Sequence, residues 1–408
     1  MEPDRAFAAE PFLAKDAEGR QAITLLMKLA YALEPSGALS PLAKAPEFVA
    51  EDVLEPKGDE PGYYPTAEME LVPFKVRTDV VVTGTARTPE QYPRRDMRVS
   101  VRVGRYEKEV QVFGERRVEV TPGGSLRFTE PEPFTEMPLT YTRAYGGVDP
   151  SVPRKDPQTV YEWMEFFTLE RHPGVYPRNP VGAAYVVNPH LWLLNGRPLP
   201  NFEDPADLLT PERMAVKDPR DWWRQPLPAG LGWFGRNWYP RCMLGGLAPP
   251  LPAPEPERLR EVELGVVERD YASRVSHPDL NERLRIEFFN GASPGLALPL
   301  LRGDEPVSLR GLDPAGERRF ALPGEVPPVT VAFQGKLLET RTHLHTLIIH
   351  KDDDRVEMIW SAQAQPPRML PLVLPTREAP VVDELDGVEI RVAGREVGHA
   401  AVDMGGGE

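Results

Sequence analysis

Proline is the feature that most constrains how this chain folds: 48 of its 408 residues are proline, against an average usage of about 5%. The proline ring fixes φ and removes a backbone donor, so proline is excluded from helix interiors and from central strands. This density disfavours a helical bundle and a doubly wound α/β enzyme. We therefore expect a mostly β protein, with antiparallel sandwich-like sheets, long ordered loops rich in Pro and Gly, and a few short helices.

The formal net charge of −14 argues against two classes of partner. Nucleic acids and anionic membrane surfaces bind clusters of Lys and Arg, and the sequence has no such cluster. The single cysteine, Cys242, allows neither an internal disulfide nor a cysteine metal site. No signal-peptide pattern opens the sequence, and the longest apolar run, Ile23 to Leu33, is too short to span a bilayer. We expect a cytoplasmic protein with no membrane insertion and no nucleic-acid partner.

Alternating apolar and polar residues predict an antiparallel meander in the first half of the chain. Between Met97 and Val103, apolar residues alternate with arginine and serine, as in a half-buried strand. A turn at Gly104 leads to a returning strand over residues 108–113, and residues 116–120 are predicted to add a third strand. The run from Ile23 to Leu33 is less informative. It is apolar at almost every position, so periodicity does not separate a buried strand from a helix.

Four parts are predicted along the chain. The first contains a helical insertion at 156–171, whose start is indicated by an N-capping Asp156 followed by Pro157. A hairpin between Leu344–Ile349 and Val356–Trp360 marks the third part, with aspartates at the turn. The parts are an N-terminal β domain with a loop-rich motif region (1–250), a proline-rich linker and helix (251–280), a second β region (281–366), and a C-terminal tail (367–408) with one hairpin around Val388 to Val397.

Motifs for phosphate binding and nucleophilic catalysis are missing from the sequence or stand in the wrong context. There is no P-loop, no HExxH and no GxSxG. The segment from Gly230 to Gly235 matches GxGxxG, but prolines precede it and no helix follows. Trp233 and Phe234 within it would obstruct a pyrophosphate. We interpret this segment as a turn-rich loop and predict no cofactor.

Three histidines near the predicted hairpin raise the question of a metal site. His343 and His345 are two residues apart on a strand, so they would face the same side. His350 would lie at the far end of that strand, and Asp352 to Asp354 suit a turn. A hairpin therefore explains these residues better than a metal centre, and we predict no metal.

Carboxylates and aromatic residues leave two alternative functions open. A hydrolase would need two facing carboxyls from Glu136, Glu203 and Asp204, although Glu203 and Asp204 are adjacent and point in opposite directions on an extended chain. A carbohydrate-binding β-sandwich would need an exposed row of aromatic rings. We rank a role in the core first for these rings, a protein interface second and sugar stacking third; the candidates are Trp222, Trp223, Trp233, Phe234, Trp238 and Tyr239.

Five sequence runs occur in order in the loop-rich middle: FTEMPLTYTRAYGG (134–147), YPRNPVG (176–182), LPNFEDP (199–205), PAGLG (228–232) and WYPR (238–241). Together they resemble domain-of-unknown-function family 2169, which is found with type VI secretion effectors and spike proteins. The flanking strand 73–84 and the segment 288–294 also resemble that family, so the similarity covers most of residues 20–362. The helical insertion and the stretch 242–280 depart from the family pattern.

The resemblance implies an accessory protein of the type VI secretion system. Such a protein acts in the cytosol as an adaptor or chaperone, binding an effector and helping to load it on the spike. The family has no established catalytic residues, so the resemblance implies no enzyme. The partners expected from it are a type VI effector, a spike protein, or both.

The motif residues have a physical role that does not depend on this function. Glycine permits backbone conformations closed to other residues, and arginine carries five donors that can tie loops together. The motifs are therefore expected to build a rigid loop scaffold or a shared docking face. The residues we single out are Glu136, Arg143, Tyr145, Gly146, Gly147, Arg178, Asn179, Glu203, Asp204, Trp233, Trp238 and Arg241.

Overall fold

The computed structural model describes residues 5–16, 20–58, 62–72, 74–152, 174–187, 190–214, 219–244, 276–277, 281–367 and 388–397. Strands predominate within these ranges, which confirms the prediction of a mostly β chain with antiparallel sheets. Among the described residues there are two four-residue α-helices, Leu191–Leu194 and Arg241–Leu244. The 3-10 helices are Pro89–Gln91, Tyr141–Arg143, Pro211–Arg213, Pro219–Arg224 and Ile286–Phe289.

The strands of the first half are β1 (Ala8–Lys15), β2 (Gln21–Leu33), β3 (Leu39–Pro41), β4 (Val53–Pro56), β5 (Tyr63–Ala67), β6 (Thr78–Thr83), β7 (Thr85–Arg87), β8 (Asp96–Val103), β9 (Tyr106–Phe113), β10 (Val118–Val120), β11 (Leu126–Phe128), β12 (Glu136–Pro138), β13 (Tyr145–Gly146), β14 (Ala183–Ala184) and β15 (Phe202–Glu203). The strands of the second half are β16 (Ser276–His277), β17 (Asn281–Arg285), β18 (Ala297–Leu298), β19 (Pro306–Arg310), β20 (Glu317–Ala321), β21 (Val329–Phe333), β22 (Lys336–Leu338), β23 (Thr340–His350), β24 (Arg355–Ala364), β25 (Val388–Val392) and β26 (Arg395–Glu396).

The largest sheet has seven strands in the order β1-β2-β24-β23-β6-β18, with β3 also paired to β2. Its strands are antiparallel except for β23 and β6, which run parallel. The ambiguous run from Ile23 to Leu33 lies in β2, and nearly all of that strand is buried. A strand covered on both faces has no polar face to show, so its sequence loses the alternation that would reveal it.

The predicted hairpin after residue 340 is confirmed. Leu344 lies opposite Trp360 and Ile349 lies opposite Val356, with the turn at residues 351–354. The register shifts between Leu344 and Thr346, which is the signature of a β-bulge.

The five-stranded sheet has the order β15-β9-β8-β19-β20, and it confirms only part of the predicted meander. The β8–β9 hairpin pairs Asp96 with Phe113 and Val103 with Tyr106, as expected. The prediction of a third strand beside β9 was wrong, because β10 pairs with β11 in a separate hairpin. The edge of β9 is taken instead by β15, a segment about ninety residues away in the chain.

A single buried core joins the two main sheets. It contains Leu29 and Val81 of the seven-stranded sheet together with Val101, Val112 and Leu309 of the five-stranded sheet. A second, smaller buried cluster contains Tyr145, Tyr176, Tyr185, Leu194 and Trp222. This second cluster lies in the motif region, where regular secondary structure is sparse.

Strands from both sides of residues 251–280 enter the same sheets. In the seven-stranded sheet β2 and β6 precede that stretch, while β23 and β24 follow it. The hairpin predicted between Val388 and Val397 is confirmed as β25 and β26, which extend a four-stranded sheet with β21 and β22. The predicted helix at 156–171, most of 251–280 and most of the tail lie outside the described residues.

Candidate functional site

Arg178 is the central tie of the motif region. Its side chain is 2% exposed. Nη1 donates to the backbone carbonyl of Trp223 at 2.8 Å, to that of Gln225 at 3.3 Å and to the hydroxyl of Tyr176 at 3.1 Å. The guanidinium also stacks on the ring of Trp222, 5.1 Å from its centroid. One arginine thus connects the second motif run to the loop at 222–225.

Tyr145 extends the same network. It is fully buried, and its hydroxyl donates to Oε1 of Gln225 at 3.1 Å. Its ring packs edge-on against Tyr176, with centroids 5.2 Å apart. Burial raises the pKa of the Tyr145 phenol well above its usual value. This tyrosine therefore stays protonated and acts as a hydrogen-bond donor inside the cluster.

Asn179 fastens the first two motif runs to each other. Its Nδ2 donates to the carbonyl of Tyr141 at 2.8 Å and to that of Tyr145 at 3.1 Å, and its own carbonyl accepts from the amide of Gly147 at 2.8 Å. Gly147 has φ +89°, and a Cβ there would lie 2.2 Å from the carbonyl oxygen of Gly182. Gly146 is as close to Asn179, so neither position accommodates a side chain.

Glu203 fixes the third motif run in place through an ion pair and a hydrogen bond. It is 2% exposed, pairs with the guanidinium of Arg116 and accepts a hydrogen bond from the amide of Leu209 at 2.6 Å. Burial raises the pKa of Glu203, and the neighbouring Arg116 offsets part of that increase. Its neighbour Asp204 has a local role, because its carboxylate accepts from the amide of Ala206 at 2.8 Å.

Arg143 lies nearer the surface than Arg178. Its side chain is 35% exposed, and it bonds Oε1 of Glu115 at 2.9 Å and the side-chain oxygen of Asn201 at 3.0 Å. Glu115 follows β9 in the five-stranded sheet, and Asn201 lies in the third motif run. Arg143 therefore links loops as predicted, but through contacts that water reaches.

Arg241 ends the last motif run in a buried ion cluster. It donates to the carbonyls of Phe234 at 2.7 Å and Phe288 at 2.9 Å, and it pairs with Glu68. Glu68 also pairs with Arg236 at 2.8 Å. The cluster connects the WYPR run to a segment near residue 68 and to the segment at 288–294.

Most of the aromatic residues that the sequence suggested for a sugar platform are packed inside the protein, and Trp223 is half-buried. Trp222, Trp233 and Trp238 are 3%, 4% and 1% exposed. Trp238 packs edge-on against Tyr141 at 5.3 Å and against Phe234 at the same distance. The exposed row of rings that a sugar platform would need is therefore not formed by these three tryptophans.

The three carboxylates considered for hydrolysis have separate partners. Glu136 lies on β12, is about half exposed and pairs with Arg87 on the neighbouring strand. Glu203 is buried against Arg116, and Asp204 caps its own turn. No pair of them shares a hydrogen bond or an ion-pair partner in the described part of the chain.

A serine, a lysine and a tyrosine that the sequence did not single out meet beneath the PAGLG run. Oγ of Ser293 lies 2.6 Å from Nζ of Lys108, from the hydroxyl of Tyr141 and from the carbonyl oxygen of Gly230. Burial lowers the pKa of Lys108 to about 7. A lysine near neutrality beside a serine is a known way to activate a nucleophile, but Ser293 is fully buried. Its contacts hold the loop of Ser293 to β9, to the 3-10 helix Tyr141–Arg143 and to the loop at Gly230.

Within the described ranges, no group of three or more His, Cys, Asp or Glu side chains is placed to hold a metal ion. The bulge after Leu344 breaks the alternation on which convergence of His343 and His345 depended. His345 is fully buried, with Nδ1 2.9 Å from the hydroxyl of Thr346. His350 instead faces Thr83 and Glu357.

The scaffold includes partners that the motif analysis did not name. Asp149 lies two residues after the end of the first run and accepts from the amides of Ser151 and Val187, both at 2.9 Å. Its position close to the glycine pair was the only local signal. Glu68 and Arg116 carry no signal in sequence, because each meets its partner only after distant segments have come together.

The chain belongs to the bacterial family described as "Uncharacterized protein conserved in bacteria (DUF2169)", whose model matches residues 18–361. That match spans all five motif runs, the whole five-stranded sheet and the seven-stranded sheet except β1 and the last residues of β24. No curated protein and no solved structure matches the chain. Among the described residues, no helix combines the length and the apolar character needed to cross a membrane.

Proposed function

We propose that the protein is an accessory protein of the type VI secretion system, a cytosolic adaptor or chaperone that binds an effector and helps to load it on the spike. The main support is that the motif residues form hydrogen bonds and ion pairs within the protein itself. Arg178, Asn179, Glu203 and Arg241 all bond to the protein's own loops. A rigid loop scaffold of this kind suits a protein whose task is to present a surface.

One exposed apolar element rests directly on that scaffold. The helix Leu191–Leu194 buries Leu194 in the same cluster as Tyr145 and Tyr176. Trp192, on the same short helix, is 74% exposed. Tryptophan is among the residues that contribute most to binding energy at protein interfaces, and the buried Leu194 fixes the short helix that carries this ring. We take Trp192 as the first candidate contact residue.

The mechanism needs only differential affinity. An adaptor that holds an effector and also contacts the spike raises the effective concentration of one at the other. Release follows when the assembled spike binds the effector more tightly than the adaptor does. No covalent chemistry is required from the scaffold residues.

The test is a pull-down from native host lysate with tagged protein, read by mass spectrometry. We expect one effector or spike protein at near-stoichiometric yield. W192A should reduce its recovery about tenfold, as for an interface hot spot. Y92A is the matched control, since Tyr92 is a 69% exposed aromatic residue outside this scaffold.

Two results would count against the proposal. If nothing co-purifies while the protein is folded and the secretion genes are expressed, the adaptor function loses its support. Glycan arrays and hydrolase screens would then test the two alternatives. If W192A and Y92A retain full recovery, the partner binds elsewhere and Trp192 is not the contact.

A further inference from the structure

A polar cleft of about 480 Å³ lies at one end of the seven-stranded sheet. Its wall includes Arg341 and His343 of β23, Gln363 of β24, and Gln365 and Asp16 beyond the ends of β24 and β1. Arg341 and Gln363 are direct cross-strand partners, so their side chains lie on one face. The volume is within the range of about 300–1,000 Å³ that is usual for small-ligand sites.

The strand beside the cleft has one edge that no described strand occupies. β6 pairs with β23 only from Thr346 onward, whereas Thr340 to Leu344 pair with β24 alone in the described part of the chain. The carbonyl of Leu344 is already occupied, because it accepts a hydrogen bond from the hydroxyl of Thr78. An unpaired strand edge is a template for an added extended segment. The cleft therefore adjoins backbone groups that a bound peptide could use.

Two arginines line the cleft, and one of them has no ion pair with a described residue. Asp16 accepts from the amide of Arg20 at 2.8 Å and from Nε2 of Gln365 at 2.7 Å, and it also pairs with the Arg20 guanidinium. Arg341 is exposed and has no ion pair or hydrogen bond to any described residue. Its planar guanidinium can donate two parallel hydrogen bonds to one carboxylate.

The remaining groups favour a monoanion. Arg20 and Arg341 are balanced by Asp16 and Glu339, so the lining is neutral overall. Burial lowers the pKa of His343 to about 4, which keeps its ring uncharged at neutral pH. A doubly charged phosphate would face Asp16 and Glu339 with a single unpaired guanidinium to hold it, whereas a carboxylate needs no more than that.

Two buried polar atoms near the cleft also lack a hydrogen-bond partner. Nε2 of His343 and Oγ of Ser361 are buried without a hydrogen-bond partner among the described residues. The two side chains are direct cross-strand partners, so they lie together on the face that carries Arg341 and Gln363. Buried polar atoms without partners are rare and tend to mark sites where another molecule binds.

We propose that this cleft binds a carboxylate, held by the guanidinium of Arg341 and the side-chain amides of Gln363 and Gln365. The edge of β23 that no described strand occupies favours an extended peptide with an acidic side chain as its source. This site goes beyond the adaptor proposal and does not depend on it, because it can be measured on the purified full chain without any effector.

The test is an NMR titration that follows the His343 ring signal, assigned with the H343Q variant. The probes are butyrate, a monocarboxylate, and a blocked pentapeptide with one central glutamate between valines and threonines. We expect a saturable shift with a millimolar or tighter Kd, weakened at least tenfold in R341Q. R127Q is the matched control, because Arg127 is an exposed strand arginine on the separate β10–β11 hairpin.

The outcomes distinguish a peptide from a small acid as the source of the carboxylate. If the peptide binds at least tenfold more tightly than butyrate, a peptide is the source of the carboxylate. Equal affinities would overturn the peptide source and leave a site for small acids. The proposal as a whole fails if neither probe gives a saturable shift, or if R127Q weakens binding as much as R341Q does. Melting temperatures of the variants exclude unfolding as the cause.

Discussion

Arg143 and Arg178 come from similar motif runs, yet the protein uses them differently. Arg178 is buried with two backbone carbonyls and a hydroxyl as acceptors, while Arg143 keeps about a third of its side chain in water. A buried carbonyl that loses its donor costs about 1–3 kcal/mol, whereas an exposed ion pair contributes less than about 1 kcal/mol. The same residue type in the same family of motifs is thus expected to differ several-fold in its contribution to stability.

We predict that R178A lowers the free energy of unfolding by about 3 kcal/mol, because it leaves the carbonyls of Trp223 and Gln225 without their donor. R143A should cost less than about 1 kcal/mol. Denaturant unfolding of both variants measures the difference. Loss of partner binding with unchanged melting in R178A would instead indicate that Arg178 contacts the partner.

The sequence identified these arginines as loop ties, but it did not rank them. Ranking needs burial, and burial at Arg178 comes from Trp222 and Tyr176, which lie in other segments. The role of the glycines was easier to predict from the sequence. A pair such as Gly146 and Gly147 indicates close backbone approach in any context, and the structure places both against Asn179 or Gly182.

At the scale of elements, β2 shows how a charged residue is accommodated in the middle of a buried strand. Nζ of Lys28 lies 2.8 Å from Glu70 and 3.0 Å from Glu357, and all three side chains are almost fully buried. Burial raises the pKa of Glu70, with Lys28 opposing that shift. Burial acts in the same direction on Glu357, but His350 and Lys28 outweigh it and lower the pKa to about 2.

We predict that K28M destabilises the protein by about 3–5 kcal/mol, because it leaves the buried carboxylate of Glu70 without its cation, while Glu357 keeps only its ion pair with Arg355 and its contact with His350. K336M is the matched control. Lys336 is exposed on the short strand β22, so its replacement should change stability by less than about 0.5 kcal/mol. Chemical denaturation of both variants at pH 7 checks this. Equal midpoints would show that Lys28 contributes no net stability to the sheet.

At the scale of the whole molecule, buried histidines link stability to pH. Burial lowers the pKa of His343 to about 4 and that of His345 further. An unfolded histidine has a pKa of about 6.5. Between these values the unfolded chain binds a proton that the folded chain does not, so stability is complete above about pH 6.5 and is lost as the pH falls.

We predict that the free energy of unfolding decreases by at least about 2 kcal/mol between pH 6.5 and pH 5, since each pKa unit corresponds to about 1.4 kcal/mol. H343Q should flatten this slope, whereas H190Q, at an exposed histidine, should leave it unchanged. Guanidinium midpoints at several pH values in this window measure it. An identical slope in H343Q would mean that His343 is already protonated in the folded state.

Local sequence was sufficient to predict the hairpins β8–β9, β23–β24 and β25–β26, because alternation and turn residues act over a few neighbouring positions. Composition was sufficient to predict the mostly β class, since proline at this density disfavours long helices. For the hairpins, the physical cause lies in neighbouring positions of the chain.

Tertiary structure decided what distant segments do to one another. The pairing of β2 with β24, more than 300 residues apart, turned an ambiguous apolar run into a central strand. The same is true of β15, which displaced the predicted third strand from the edge of β9. The partners of Arg178, Lys28 and Arg241 also come from remote segments. Register and burial depend on which surfaces meet, and no short stretch of sequence contains that information.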